Sequence, residues 1–259
     1  AYTAKLSKFL ENGGTDMPRL ADLCYTSTLR TQFPFRLALS VNSMQSLKEQ
    51  LRAAAASGGS SAAKSDNGDR KVAFVFPDSG ADSAYAGMGE QLYATQPVFK
   101  AKLDACDQLI GRQLGKTLKD VLFQAGGMAN PQHAEPALFA YQYALAQLWQ
   151  SWGVSPAVVA GHGVGEFVAG VIAGIFSLAD GLKMVMMRAQ LLAQDPSWAM
   201  GGNMFGMVTN MVTYSAPAIP FVSSKTGQVN DSALATGDHW KDQPLYKMDV
   251  PTAVAAAKT

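Results

Sequence analysis

The chain has 259 residues, enough to bury a sizeable core in one large domain or two. Its 21 basic and 20 acidic residues balance, which gives no electrostatic case for binding nucleic acid or an anionic membrane. Cys24 and Cys106 lack metal-ligand spacing and favour a reducing compartment over a disulfide framework. No apolar run matches a membrane span and no signal peptide is seen, so we expect a cytoplasmic protein.

The first 56 residues are predicted to form a small α/β unit with too little core to stand alone. Apolar spacing predicts three helices in it, over residues 3–11, after the cap Asp16 with Pro18 in the first turn, and from Ser43 to Ala56. Alternation of apolar and polar residues predicts a strand over 35–41. Residues 57–70 combine glycine, serine and charge without an apolar anchor, which is typical of a flexible linker.

The remainder of the chain alternates predicted strands and helices. The apolar run 72–76 predicts a buried strand, and the polar loop 77–83 follows at its carboxyl end, where ligands bind in open parallel sheets. Helices are predicted over most of 85–110, from Pro136 onwards, and after the cap Ser177. This order predicts an α/β fold whose parallel sheet is flanked by helices.

Residues 157–176 join an apolar strand, a glycine-rich turn and a helix that is predicted to begin at Glu166. This is the shape of a nucleophile elbow, in which a tight turn thrusts the nucleophile clear of the backbone. The centre of the turn is Gly163, which has no nucleophilic side chain.

The same glycines also suggest a dinucleotide-binding turn, a second class of function. Gly161, Gly163 and Gly165 follow a strand, but Glu166 occupies the register of the last glycine of that motif. Its carboxylate at the helix N-terminus would repel a phosphate, so we disfavour this interpretation.

Several segments resemble, in order, the acyltransferase region of modular polyketide synthases and their relatives in fatty acid synthases. They are LADLCYTSTLRTQFPFRLALSV, residues 72–76 with 85–89, EPALFAYQYALAQLWQSWGV, AGHGVGEFVAG, GIFSLADGLKMVMMRAQLL and IPFVSSKTG. The resemblance implies that residues 1–56 are the ketosynthase-to-acyltransferase linker and that 71–259 form an α/β-hydrolase-like domain. Domains of this family load an acyl extender from coenzyme A onto an acyl carrier protein.

The chain departs from the family pattern where the family carries its chemistry. The elbow serine is replaced by Gly163, the glutamine before Pro-Ala-Leu-Phe by Glu135, and the Gly-Gln-Gly-Ser-Gln loop by residues 78–84. After Trp198 there is no room for the ferredoxin-like small subdomain or the histidine that follows it, and His239 comes too late in the sequence. Removing one member of a catalytic serine–histidine pair lowers the rate of the reaction nearly as much as removing both. We therefore expect no working dyad.

Other positions keep a family residue or attract attention. The N–H of Val164 is a surviving oxyanion-type donor, and Arg188 matches the arginine that holds an extender's carboxylate. For Arg188 a retained anion site and a structural ion pair stay open. His162 is expected to pack under the turn, while Ser79 and Ser83 are expected to be ordinary loop residues.

Seven of the twelve methionines lie between Met184 and Met211. Methionines in such a run ordinarily fill gaps in a core. Our further hypothesis is that they repack the surface that the lost subdomain once covered, with their side chains out of solvent.

The sequence therefore predicts a non-catalytic acyltransferase remnant of a polyketide synthase, acting as a scaffold or docking element. Expected partners are the adjacent ketosynthase and other domains of the same synthase, with an acyl carrier protein or a separate acyltransferase as docking candidates. No nucleic acid, membrane, metal or cofactor is expected. The alternative is an active acyltransferase or hydrolase that acts on acyl thioesters with a relocated nucleophile, or displaced chemistry that uses His162 and Arg188.

Overall fold

The computed structural model describes residues 2–12, 17–31, 33, 35–57, 63–64, 71–78, 85–198 and 201–243. Contacts divide the chain into two compact units, Ala1–Arg70 and Lys71–Thr259. Within the described ranges, no helix is both long and apolar enough to cross a membrane.

The first unit contains three helices and two very short strands. They are α1 (Tyr2–Asn12), α2 (Leu20–Thr28), β1 (Phe35–Arg36), α3 (Met44–Ala56) and β2 (Ala63–Lys64). The Ser43 hydroxyl caps α3 by accepting the Ser46 N–H at 3.1 Å, as the sequence predicts. Among the described residues of this unit, the buried apolar core consists of Leu10, Leu47 and Leu51.

Two predictions in this unit are wrong. The strand predicted over 35–41 is limited to β1, which pairs antiparallel with β2, and beyond it Leu39 and Val41 pack against the leucine core instead. Helix α2 begins after Arg19, whose carbonyl accepts the N–H groups of Asp22 and Leu23, so Pro18 precedes the helix. Asp16, the predicted cap, and most of the predicted linker 57–70 lie outside the described residues.

The second unit is built on a parallel sheet, which confirms the predicted α/β fold. Its strand order is β3 (Ala73–Phe76), β4 (Val158–Gly161), β5 (Phe221–Val222), with Phe76 opposite Gly161 and Val159 opposite Phe221. Its helices are α4 (Glu90–Thr95), α5 (Pro97–Ile110), α6 (Leu118–Phe123), α7 (Pro131–Ser151), α8 (Val164–Ile172), α9 (Leu178–Gln194), α10 (Gly201–Thr209) and α11 (Gly237–Lys241).

Helix α7 is the longest helix of this unit and packs on α5, α8 and α9. It begins at Pro131 and not at the predicted Pro136, because the Asn130 side chain caps it by accepting the Gln132 N–H at 3.0 Å. Pro136 lies inside the helix, where it removes one backbone donor near the first turn. The earlier start places Glu135 on the helix, with its side chain buried.

An aromatic cluster fixes the C-terminal part of the unit against the sheet. The ring of Trp240, fully buried on α11, lies 4.9 Å from that of Phe176, 5.4 Å from that of Phe167 and 6.2 Å from that of Phe221. Burial of these large side chains stabilises the unit, at roughly 1.5–3 kcal/mol for each fully buried large apolar side chain. The cluster brings α11 beside α8, the helix of the glycine-rich turn.

Helix α10 contradicts the prediction made for the methionines. Phe205 and Val208 are its buried apolar residues, so Met204 and Met207 lie on its other face. The exposed fractions are 53% for Met204, 72% for Met207 and 73% for Met211, so these three side chains are in solvent. The hypothesis that the methionines repack a bared surface is therefore wrong for these three, whereas Met184 is fully buried and Met186 and Met187 pack against the core.

Candidate functional site

The glycine-rich turn has the backbone of a nucleophile elbow. Gly163 joins β4 to α8 with φ +55° and ψ −125°, a conformation that favours glycine over residues with a side chain. The His162 N–H donates to the Phe76 carbonyl and its carbonyl accepts the Gly165 N–H, both at 2.9 Å. A Cβ on Gly165 would overlap the Phe76 carbonyl, so α8 lies tightly against β3. Helix α8 begins at Val164, two residues before the predicted Glu166.

The space above Gly163 is filled by the carboxyl group of Asp78. A Cβ built on Gly163 would overlap both the Cγ and the Oδ1 of Asp78. The Val164 N–H, the predicted oxyanion-type donor, donates to Asp78 Oδ1 at 3.0 Å. The loop that carries Asp78 is held from α7, where the Gln142 amide donates to the Pro77 carbonyl at 3.0 Å. The turn therefore presents a carboxylate in the space that a side chain at position 163 would enter.

Arg188 on α9 is bound by side chains of the same chain. Its Nη1 lies 2.5 Å from Glu135 Oε2, its Nε donates to Gln243 Oε1 at 3.2 Å, and its Nη2 lies 4.0 Å from Asp78 Oδ1. The side chains of Arg188 and Glu135 are 5% and 7% exposed, so the pair is shielded from water. Burial raises the pKa of Glu135, the Arg188 charge lowers it, and the neighbouring Asp78 raises it further, for a net rise. Arg188 therefore forms a buried ion pair, and its use as an anion site stays a prediction.

Gln243 and Glu166 clamp the elbow from the side of α11. The Gln243 amide donates to the Gly163 carbonyl at 2.9 Å and to Glu166 Oε2 at 3.0 Å. The Ser224 N–H and hydroxyl both donate to the Glu166 carboxylate, at 3.1 and 2.5 Å. His239 Nε2 lies 3.5 Å from Glu166 Oε1, so the histidine that comes late in the sequence contacts this buried carboxylate. These contacts hold the positive-φ glycine in place.

The structure brings together four of the five predicted site positions in one network, namely Glu135, Gly163, Val164 and Arg188. His162 is half-buried and contributes backbone hydrogen bonds to the turn. Ser79 and Ser83 lie outside the described residues.

Two members of the network, Asp78 and Gln243, are not predicted as site residues. For Asp78 a signal exists, because the polar loop at the carboxyl end of β3 is singled out as a ligand-binding position. Gln243 carries no such signal. Within the described ranges, no group of three or more histidine, cysteine, aspartate or glutamate side chains is arranged to bind a metal ion.

Comparison with known proteins identifies the family. The model of the acyl transferase domain matches residues 73–238. The chain is 32% identical over 254 residues to orsellinic acid synthase armB of Armillaria mellea, covering 92% of this chain and 11% of that synthase. It is 37% identical over 196 residues to the non-reducing polyketide synthase ZEA1 of Gibberella zeae, covering 74% and 9% respectively. The chain thus spans about a tenth of the length of these curated relatives.

Solved structures show the same fold. The acyl transferase domain of SpnD, in complex with 2-(pent-4-yn-1-yl)malonyl, matches with a TM-score of 0.83 and 22% identity, over 98% of this chain and 77% of that one. The acyl transferase domain of ZmaA matches with a TM-score of 0.84 and 20% identity, over 98% and 76%. The chain belongs to the acyl transferase domain family, in the form found in polyketide synthases.

Proposed function

We propose that this chain is a non-catalytic acyl transferase domain of a polyketide synthase. The observation that carries the proposal is the glycine at the centre of the elbow, with the Asp78 carboxyl group in the space above it. Acyl transfer at neutral pH requires a positioned nucleophile and a base that takes its proton. A glycine supplies no nucleophile, and the nearby His239 contacts the Glu166 carboxylate.

The state of Arg188 supports the same conclusion. The family resemblance implies that the arginine at this position binds the carboxylate of the acyl extender. In this chain its guanidinium already binds the Glu135 carboxylate at 2.5 Å, with Asp78 4.0 Å away on the other side. An anionic extender would have to displace a buried ion pair and approach two carboxylates, which is electrostatically unfavourable.

The short connection after Trp198 supports the absence of a segment that the family resemblance leads us to expect there. Between Trp198 and β5, the described residues form one nine-residue helix, α10. We infer that the small ferredoxin-like subdomain is absent and that residues 1–56 are the ketosynthase-side linker, joined to the acyl transferase domain through residues 57–70.

The proposed role is that of a structural scaffold or docking element between neighbouring domains. This role is supported by a well-packed core that surrounds a site whose central residue, Gly163, has no nucleophilic side chain. A fold can be kept when the chemistry of its site is lost. Its proposed partners are the adjacent ketosynthase and other domains of the synthase, with an acyl carrier protein or a separate acyltransferase as docking candidates.

Carrier loading tests the proposal. The full chain is incubated with malonyl coenzyme A and holo carrier protein, beside a protein-free control and an active acyl transferase domain. We expect the carrier to load no faster than in the protein-free control. A titration of labelled carrier at low salt tests docking, and we expect saturable binding. Accelerated loading would contradict the non-catalytic role, and no binding by any carrier of its own synthase would contradict carrier docking.

One observation favours a second candidate, a hydrolase of acyl thioesters with a relocated nucleophile. The Asp78 carboxylate occupies the position of the missing side chain, and a carboxylate nucleophile has no proton that a base must remove before it attacks. One of its oxygens would attack the thioester carbonyl carbon, the C–S bond would break, and the thiolate would leave. The acyl group would stay on Asp78 as a mixed anhydride. Water would then attack the anhydride and release the acid, which restores the carboxylate and leaves two protons to solvent, one of which the thiolate takes up.

The two candidates differ in one measurable product. Peptide mapping after incubation with acyl coenzyme A would locate an acyl group on Asp78 if the second candidate is correct, and Asp78→Asn would abolish it. We expect no such adduct, because the Asp78 carboxylate accepts the Val164 N–H, the donor that an attacked carbonyl would need.

A further inference from the structure

The pocket at the elbow is built to hold an anion, and Asp78 is the anion that it holds. Val164 opens a nine-residue helix, and its N–H at that terminus points to Asp78 Oδ1. The almost fully buried guanidinium of Arg188 lies 4.0 Å from the same oxygen. A backbone donor and a buried cation thus converge on one carboxylate oxygen.

The position of Asp78 depends on the missing side chain at 163. Any Cβ at this position would overlap the Asp78 carboxyl group, so the two groups cannot occupy the site together. Gly163 is held in its positive-φ conformation from the other side, where its carbonyl accepts the Gln243 amide. The backbone at Gly163 cannot move away without breaking the hydrogen bond from Gln243. A Cβ at position 163 would therefore displace the Asp78 side chain.

We propose that Asp78 is a resident carboxylate ligand of this pocket, and that the pocket binds a small free carboxylate once Asp78 is shortened. The inference rests on the proposed function, because a carboxylate that fills the acyl position keeps the site closed to acyl ligands. It deepens that function by naming what keeps the site closed. Glu135 contributes by neutralising Arg188, which lowers the attraction for anions from solvent.

A double-mutant cycle measures the mutual exclusion. Gly163→Ala adds only a Cβ, and Asp78→Ala removes the carboxyl group that it would overlap. In the wild-type background, Gly163→Ala should raise the unfolding equilibrium constant by about 30-fold or more through overpacking and the positive φ. In the Asp78→Ala background the same change should have an effect about tenfold smaller, since only the backbone strain is left. Equal effects in both backgrounds, within about twofold, would overturn the inference.

Binding of acetate provides the second test, which stands if Gly163→Ala does not fold. Thermal unfolding of three proteins is compared in sodium acetate and in sodium chloride of equal ionic strength. Asp78→Ala should be stabilised by acetate, because ligands that bind the folded state raise its melting temperature. The wild type should show no acetate effect, nor should Asp78→Asn, the matched control that keeps the side-chain volume. Equal responses in all three proteins, or none in Asp78→Ala, would overturn the inference.

The outcomes separate this inference from the proposed function. An acyl adduct on the wild-type chain would overturn the non-catalytic role, while a coupled cycle would still show that Asp78 and a side chain at 163 exclude each other. If the effects of the two substitutions are additive and no acyl adduct is found, the non-catalytic role stands, but Asp78 is not the resident ligand of the pocket.

Discussion

The elbow shows how much a single side chain changes the chemistry of a site. Without a Cβ at Gly163, the space fills with a carboxylate that satisfies the Val164 N–H. The exchange of glutamine for Glu135, which the resemblance implies, gives Arg188 an internal partner. Breaking such a buried pair by removing one member costs about 3–5 kcal/mol, so we regard the pair as structural.

For single residues, the sequence predicts which positions differ from the family pattern. It does not predict which side chains these residues bind in the folded chain. The resemblance implies that Gly163 and Glu135 are two such residues. The bonds of Asp78 to Val164 and of Gln243 to Gly163 join residues 86 and 80 positions apart. Such pairs depend on how the sheet and helices assemble, which no local pattern encodes.

The buried thiol of Cys106 gives a test of stability against pH. Burial raises its pKa to about 12 from an ordinary value of 9.0. The folded protein therefore keeps the thiol protonated where the unfolded chain ionises, and stability falls as pH rises above 9, by about 1.4 kcal/mol per pH unit. Chemical denaturation of wild type and Cys106→Ala should show a stability difference that shrinks from pH 9 to pH 11. A constant difference would contradict the burial of this thiol.

Helix caps can be predicted from sequence because their signals are local. The caps Ser43 and Ser177 accept N–H groups three residues ahead, and both are confirmed. The strand predicted over 35–41 depends on a distant partner, β2, which pairs with only two of its residues. The start of α7 was misplaced because Pro136 suggested a first turn, whereas the Asn130 cap begins the helix five residues earlier.

Glycines on two helices of the second unit should respond oppositely to alanine. At Gly165 on α8 a Cβ would overlap the Phe76 carbonyl, so Gly165→Ala should lower the free energy of unfolding by about 1–3 kcal/mol. At Gly206 on α10 the nearest atom to a Cβ is the Cβ of Lys241 at 3.9 Å. Gly206→Ala, the matched control, should therefore stabilise by about 0.4–1 kcal/mol. Chemical denaturation measures both, and a neutral Gly165→Ala would contradict the close packing of α8 on β3.

At the scale of the molecule, the two units differ sharply in the size of their cores. The first unit buries three leucines, whereas the second has a continuous core that includes α7, α8 and the Trp240 cluster. The α/β class and the order of elements follow from the alternation of patterns along the chain, so they were predictable. The sequence did not predict the solvent-exposed methionines, because a methionine pattern fits a buried surface and an exposed one equally well.

Hydrogen exchange should reveal this difference in core size. Amides in α1 and α3 should exchange through local opening well before those in α7 and β4, since few apolar contacts oppose the opening of the first unit. Exchange followed by mass spectrometry on the intact chain tests this, with α7 as the internal reference. Equal protection in α3 and α7 would show that the first unit is as stable as the second.

The central claim is that the chain carries no acyl group of its own. Intact-mass spectrometry after incubation with malonyl, methylmalonyl and acetyl coenzyme A, with and without holo carrier protein, tests it most directly. We predict an unchanged mass under every condition, because Gly163 supplies no nucleophile and Asp78 fills its place. A covalent acyl adduct, located by peptide mapping on any side chain, would contradict the claim and identify a replacement nucleophile.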